Sequence, residues 1–160
     1  MDDVFLHFET IARKAWVLTE ARDERCGGTH PFEERDIHPN LANIVRELFD
    51  NGHYSQATFE AFKFLDKEVQ RHSSEYSKSG KTLMMLAFSE TAPLIRLTPL
   101  SNTSERDEQQ GFKFIFSGST MAIRNPRGHE VNLPDSPDKC LDHLSLASLL
   151  LRRMEESGFK

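Results

Sequence analysis

Hydrophobic residues recur along most of the chain at intervals of three and four, the spacing that places them on one face of an α-helix. This pattern predicts helices over about residues 3–22, 37–50, 54–72, 83–88, 104–125 and 137–154. The connections between the later segments are short. Five helical patterns of useful length therefore predict an all-α bundle.

Helix ends are predicted from residues with a capping or breaking role. Pro39 suits the first position of a helix, and Asn51-Gly52 supplies a left-handed stop. Ser104 is predicted to cap the next long helix together with Asp107, three residues later. Pro126 is predicted to end that helix, because a proline has no amide hydrogen to donate. Residues 135–138 are predicted to cap the last helix.

Two stretches allow more than one interpretation. Phe112, Phe114 and Phe116 alternate as they would in a strand, but helical spacing extends further in both directions and favours a helix. The prolines within residues 93–103 predict an irregular crossing there. The apolar stripe of the final helix can pack on the chain's own core or on a second subunit; it consists of Cys140, Leu144, Ala147, Leu151 and Met154.

Residues 23–36 show no periodicity and carry two glycines, a proline and many charges, which predicts a solvated connection. The chain is therefore expected to consist of an N-terminal helix with an acidic linker, residues 1–36, and a helical domain, residues 37–160. The acidic excess follows the same division. Residues 1–36 hold nine acidic and five basic side chains, whereas residues 37–160 hold sixteen and fifteen.

The net charge of −5 argues against a protein that coats nucleic acid through bulk positive charge. Neither Cys26 nor Cys140 has the spacing of a metal ligand, and no secretory signal precedes them, so both are expected to be reduced thiols of a cytoplasmic protein. No apolar run approaches the roughly 20 residues that span a bilayer. Neither a cofactor nor a metal is expected.

Arg124, Asn125 and His129 are the main candidates for chemistry. Arginine offers a planar fork of donors that fits phosphate oxygens, and an imidazole can accept or donate a proton near neutral pH. RNA cleavage without a metal needs both groups. With Pro126 ending the helix and Gly128 allowing a tight return, His129 is expected to fold back towards Arg124.

The arginine, the polar residue after it and the histidine five positions on resemble the R-x4-6-H motif of the HEPN superfamily of small all-helical proteins. Over about residues 37–155 the chain also looks like the Ymh-like family of small bacterial and phage proteins, which are grouped with HEPN proteins. The phrases that carry this resemblance are Ile37-His38-Pro39, Gly52-His53-Tyr54, Gly111-Phe112 and Ile123-Arg124-Asn125-Pro126, with His129 and the closing Leu-rich helix.

The resemblance implies a HEPN-like bundle and a metal-independent endoribonuclease, in a toxin-antitoxin, abortive-infection or anti-phage setting, with an antitoxin or defence partner. It also implies a symmetric homodimer with a composite site, because two motifs meet across the dimer interface of such proteins. His129 would transfer protons, Arg124 would stabilise the phosphorane, and Asn125 would position these two side chains. Arg127, inside the motif, is expected to add a contact to RNA phosphate.

Other motifs are weaker. Residues 79–82 read Ser-Gly-Lys-Thr like the end of a P-loop, but Glu75 stands where the upstream glycine is needed. His53 and Tyr54 are expected at most to line a cleft. Two alternatives to the enzyme stay open. One is a non-catalytic helical module that binds RNA or a protein, favoured by the missing basic stripe. The other makes the final helix a dimerisation element of a larger assembly.

Overall fold

The structure is a computed structural model that describes Ile11, residues 29–130 and residues 133–157. These residues form an all-α fold with no strand among them, which confirms the predicted fold class. Its helices are α1 (Pro31–Glu34), α2 (Pro39–Asp50), α3 (Tyr54–Ser73), α4 (Gly80–Ala87), α5 (Thr103–Ser119), α6 (Asn125–His129) and α7 (Pro137–Glu156). A π-helical turn, Thr120–Arg124, joins α5 directly to α6. Apart from Ile11, the helix predicted over residues 3–22 lies outside the described residues.

The chain divides into two compact units, residues 1–34 and 35–160. In the first unit, α1 corrects the expectation of a wholly irregular connection over residues 23–36. The backbone amide of His30 donates to the Glu33 carboxylate at 3.1 Å, and the His30 ring accepts from the amide of Phe32 at 3.1 Å. Pro31 supplies the favoured first residue. Four residues are too few to show a periodic pattern, so the turn was missed.

In the second unit, α2 begins and ends as predicted. Pro39 lies at its start, and the His38 ring accepts the amide hydrogen of Asn40 at 3.2 Å. Gly52 follows its end with a φ of +79°, a left-handed conformation that favours glycine. The face of α2 that packs inward is made of Leu41, Val45 and Phe49.

The central helix is α3, which contacts α2, α4, α6, α7 and the π-helical turn. All five residues predicted to be buried on it are buried: Ala57, Ala61, Phe62, Leu65 and Val69. The alanines let neighbouring helices approach closely. The buried carboxylate of Asp66 accepts the amide hydrogen of Gly80 at 2.7 Å and so ties the start of α4 to α3.

Residues 88–102 form the predicted irregular crossing. The buried side chain of Gln109, in α5, forms hydrogen bonds with backbone groups of this segment. The Gln109 amide oxygen accepts from the amide of Leu97 at 2.8 Å, and its nitrogen donates to the carbonyls of Ile95 and Phe88. This single amide replaces the backbone pairing that an irregular buried segment lacks.

The predicted cap of α5 is displaced by two residues. The helix begins at Thr103, and Asn102 rather than Ser104 accepts the amide hydrogen of Glu105, at 3.0 Å. Glu105 in turn accepts from the amide of Ser101 at 2.7 Å. The arrangement resembles a capping box, except that Glu105 accepts from the amide of the residue before the cap. Asn102 takes the cap position because asparagine caps as well as serine does.

The final helix, α7, is capped as predicted. Ser136 accepts the amide hydrogen of Lys139 at 3.2 Å, and Pro137 occupies the first helical turn. The apolar stripe that begins at Cys140 and ends at Met154 is buried within the chain's own core. A second subunit would therefore have to use another face. None of the described helices is both long enough and apolar enough to cross a bilayer.

Candidate functional site

Pro126 does not end the helix, which corrects the prediction. The chain stays helical through the π-helical turn and α6, and it leaves the helical conformation only at Glu130. In the turn, the amide of Asn125 donates to the carbonyl of Thr120, five residues back. The wider ladder makes room for the proline ring, and Pro126 then lies in the first turn of α6, where a missing amide hydrogen is tolerated.

Small hydroxyl residues mark the place where the helix widens. Both Ser119 and Thr120 donate their side-chain hydroxyls to the carbonyl of Phe116, at 2.9 and 3.1 Å. Such bonds compete with the helical ladder and bend it. The run from Ser117 to Thr120, six residues before a proline, was the signal in the sequence that could have predicted the turn.

Arg124 is half-buried at the end of the π-helical turn and lies against α3. Its guanidinium carbon is 5.6 Å from the ring centre of Phe59, and its Nη1 donates to the Asn125 side-chain oxygen at 3.3 Å. No carboxylate within the described residues forms an ion pair with it. The buried Nε of Arg124 has no hydrogen-bond acceptor. The site therefore contains a positive charge that no residue in the described part of the chain neutralises.

Gly128 has a different role from the predicted tight return. It is helical, and a Cβ atom built on it would lie 3.0 Å from Cε2 of Phe59. Arg124 and Gly128 are four residues apart and so share the face that meets Phe59. The glycine lets α6 approach the phenylalanine ring on which Arg124 rests. Phe59 is a site residue that the sequence reasoning missed.

Asn125 and His129 are also four residues apart and share the next face of α6. His129 is exposed, and no hydrogen bond or ion pair to its ring exists among the described residues. The structure brings Arg124 and Asn125 into contact, and it leaves the His129 imidazole free to meet a ligand. No hydrogen bond or ion pair within the described residues joins the His129 ring to Arg124 or to the Asn125 side chain.

Arg127 is turned inward. Its guanidinium makes a two-pronged ion pair with Asp135, with 2.7 Å from Nε to Oδ2 and 2.8 Å from Nη2 to Oδ1. Nη1 donates to the carbonyl of Ile123 at 2.6 Å, and Nη2 lies 3.4 Å from Nδ1 of His143. The Arg127 side chain is only 3% exposed. All three arms of its fork are thus occupied inside the protein, which speaks against the expected phosphate contact.

The pKa values around this ion pair follow from burial and charge. Burial raises the pKa of the Asp135 carboxyl, but hydrogen bonds from Arg127 and Lys139 outweigh it, so the pKa lies below its usual value. Burial first, and the nearby charge of Arg127 second, lower the pKa of His143. No local pattern predicts either partnership, since Asp135 and His143 are eight and sixteen positions after Arg127 and meet it only because the chain returns.

A groove of about 530 Å³ lies beside the pair, between the start of α3 and the segment before α7. His53 and Tyr54 line it, as the sequence analysis expected of a cleft, together with Arg127 and Glu130. Arg124, Asn125 and His129 do not line it. The exposed imidazole of His129 is therefore not part of the groove. Residues 29–130 and 133–157 contain no cluster of three or more His, Cys, Asp or Glu side chains that could hold a metal.

The fold and the site together define a class of protein. Its members are all-α and present an arginine, an asparagine and an exposed histidine on one helical segment. The chain belongs to the Hypoth_Ymh family, described as "Protein of unknown function (Hypoth_ymh)", whose model matches residues 35–154. That range covers the whole motif and confirms the Ymh-like part of the resemblance. No curated protein and no solved structure matches the chain.

Proposed function

We propose that this chain is a metal-independent endoribonuclease of HEPN type that works as a homodimer in a toxin-antitoxin, abortive-infection or anti-phage setting. One observation carries the proposal: among the described residues the guanidinium of Arg124 has no carboxylate partner, and the exposed imidazole of His129 follows it on the same helical segment. An unneutralised arginine held on an aromatic face is suited to receive phosphate oxygens. An exposed imidazole five residues further along the chain is suited to transfer protons.

The reaction would begin with removal of the proton from a ribose 2'-hydroxyl by a neutral His129. The 2'-oxygen then bonds to the adjacent phosphorus, and the bond from phosphorus to the 5'-oxygen breaks. A protonated imidazole supplies the hydrogen that the leaving 5'-oxygen needs. Arg124 stabilises the crowded, negatively charged phosphorane, and Asn125 holds the arginine through its side-chain oxygen. The products are a 2',3'-cyclic phosphate and a 5'-hydroxyl end.

One imidazole cannot serve as base and acid in the same step, so the proposal requires a second copy. An exposed apolar face that runs from α5 into the π-helical turn supports the pairing. On it, Phe114 is 55% exposed, Ile115 43% and Met121 47%. Residues 114–123 contain no charged side chain, so two copies of this face can meet without like charges opposing each other. The stripe of α7, by contrast, is already buried within one chain.

Two glycines on the same face support close approach by another helix. Cβ atoms built on Gly111 and Gly118 would meet no atom within 4 Å, and neither glycine has a positive φ. No contact with residues 29–130 or 133–157 therefore explains them, although each costs the helix about 1 kcal/mol relative to alanine. Phe114, Met121, Asn125 and His129 follow one another at spacings of seven, four and four, so the face leads to the imidazole. Pairing through it would bring two histidines together.

The activity is tested by incubating purified protein with tRNA or single-stranded RNA in EDTA. We expect cleavage that falls at least about a hundredfold in His129→Ala and in Arg124→Ala, the usual scale for loss of acid-base or oxyanion groups. His53→Ala and Arg96→Ala are matched controls, since both side chains are exposed and lie outside the motif. Equal residual nicking by wild type and His129→Ala would end the catalytic claim. RNA binding without turnover would favour the alternative, a non-catalytic helical module.

The pairing face is tested by placing a carboxylate on it. Phe114→Glu should convert a dimer to a monomer in analytical ultracentrifugation and abolish cleavage with it. Leu149→Glu is the control, because Leu149 is 52% exposed and lies on α7, away from the face. A wild-type monomer at concentrations that support cleavage would contradict the composite site.

A further inference from the structure

The inward-facing pair of Arg127 and Asp135 connects three parts of the site. Asp135 immediately precedes Ser136, which caps α7, and Arg127 belongs to α6. The third arm of the guanidinium holds the carbonyl of Ile123 in the π-helical turn, at 2.6 Å. One side chain thus fastens the turn, α6 and the beginning of α7 to each other.

The pair is almost completely removed from solvent, with side-chain exposures of 3% for Arg127 and 0% for Asp135. Such pairs add little net stability compared with an apolar replacement, because desolvation of two charges offsets their attraction. What a two-pronged pair does supply is direction, since both planar groups must lie in one plane to form both bonds. The contribution of the pair to folding stability therefore does not explain why these two charges are buried together.

The pair holds the end of a long helical run. α6 is the five-residue end of that run, and the π-helical turn separates it from the regular hydrogen-bond ladder of α5. His129 is its last residue, two positions after Arg127. Because its ring makes no hydrogen bond or ion pair among the described residues, His129 depends on the backbone of α6 for its orientation.

We infer that Arg127 and Asp135 form a positioning pair that fixes α6, and with it the direction in which His129 points relative to Arg124. This replaces the expected role of Arg127 as a phosphate contact. The role in cleavage rests on the proposed ribonuclease function, whereas the orientation of the helix does not. Lys139, 51% exposed, also contacts Asp135 at 3.0 Å but comes from α7 itself, so it cannot hold α6.

The decisive variant is Arg127→Met with Asp135→Val, which replaces both charges by apolar groups and leaves no buried charge unpaired. The double variant should fold with a melting temperature close to that of the wild type, because apolar replacement of a buried pair is often neutral. Arg127→Met alone would leave the buried Asp135 carboxylate without its arginine partner. The resulting loss of stability would obscure any effect on the position of α6. Lys139→Met is the matched control, since it removes a contact to Asp135 and keeps the two-pronged pair.

Two measurements on these proteins decide the inference. In the double variant, amide hydrogen exchange over residues 125–129 should quicken at least about tenfold while that of α7 stays unchanged, and the His129 ring signals in NMR should shift or broaden. The kcat for RNA cleavage should fall about tenfold or more with KM unchanged, because small misplacements of a catalytic group are costly. Lys139→Met should match the wild type in both.

Unchanged exchange and unchanged His129 signals in a folded double variant would overturn the inference, whatever the activity. A wild type that does not cleave RNA would instead refute the proposed function, and the exchange and NMR data would still decide whether the pair positions the helix. Altered signals with an unchanged kcat would show that orientation of His129 does not matter to cleavage, which would overturn the functional half of the inference.

Discussion

Gly128 and Gly118 allow a matched test of how closely α6 packs on Phe59. Both glycines are helical and neither has a positive φ. Replacement by alanine should thus give each the same gain in helix propensity, about 1 kcal/mol. The difference lies in the surroundings. A Cβ on Gly118 meets nothing within 4 Å, whereas one on Gly128 lies 3.0 Å from the Phe59 ring.

At protein concentrations low enough for the monomer to prevail, we expect Gly118→Ala to raise the free energy of unfolding by about 1 kcal/mol. For Gly128→Ala, overpacking costs of about 1 to 3 kcal/mol offset that gain, so the variant should be between about 0 and 2 kcal/mol less stable than the wild type. Displacement of Phe59 would also move Arg124, whose guanidinium lies 5.6 Å from that ring, and should lower RNA cleavage.

The measurement is urea unfolding followed by circular dichroism, repeated at two protein concentrations, because dissociation of a dimer would add a concentration-dependent term. An unchanged urea slope should accompany the shift in midpoint. The reasoning fails if Gly128→Ala proves as stabilising as Gly118→Ala, since Phe59 would then impose no limit on the approach of α6.

Three further predictions concern stability. Asn102→Ala should lower the free energy of unfolding by about 1 kcal/mol through loss of the cap, while Ser104→Ala should change it little; the reverse order in urea unfolding would restore Ser104 as the cap. Phe116→Ala should cost about 3 to 5 kcal/mol, because it empties a fully buried position in a ring stack; a loss below about 1 kcal/mol would contradict that packing. Burial and the charge of Arg127 lower the pKa of His143, so the folded state resists protonation of this ring. The free energy of unfolding should therefore decrease as the pH falls from about 6.5, the pKa of an unfolded histidine, through the lower pKa of the folded state. His143→Gln should flatten the decline in unfolding free energy between about pH 7.5 and pH 5, although other histidines leave some slope, and an unchanged slope would mean that the ring is not desolvated.

The helices and most of their ends could be predicted because their causes are local. Pro39 and Gly52 bound α2 through conformational preferences of single residues, and the periodic apolar positions of α3 and α7 are all buried as expected. The cap of α5 was misplaced because Asn102 and Ser104 are both good capping residues two positions apart. Local preference alone could not choose between them.

At the candidate site, the sequence pattern pointed to Arg124, Asn125 and His129, but the structural roles that it predicted for Pro126 and Gly128 were wrong. Pro126 is a helix breaker in isolation, yet here the π-helical turn absorbs it. Gly128 is not a turn residue but a point of close approach to Phe59. In both cases the error came from applying a local rule where the packing of α6 on α3 decides the outcome.

By itself the sequence determined the all-α class, the position of the long helices and which residues carry chemistry suited to phosphate and protons, because helical periodicity and side-chain chemistry are properties of the residues themselves. Only the tertiary structure decided which cation is free. Arg124 and Arg127 are three residues apart and chemically identical, but Arg127 meets Asp135 where the chain returns towards α7, while Arg124 meets the ring of Phe59 and no carboxylate among the described residues. An ion pair between residues distant along the chain depends on where the helices pack, and no local pattern encodes that.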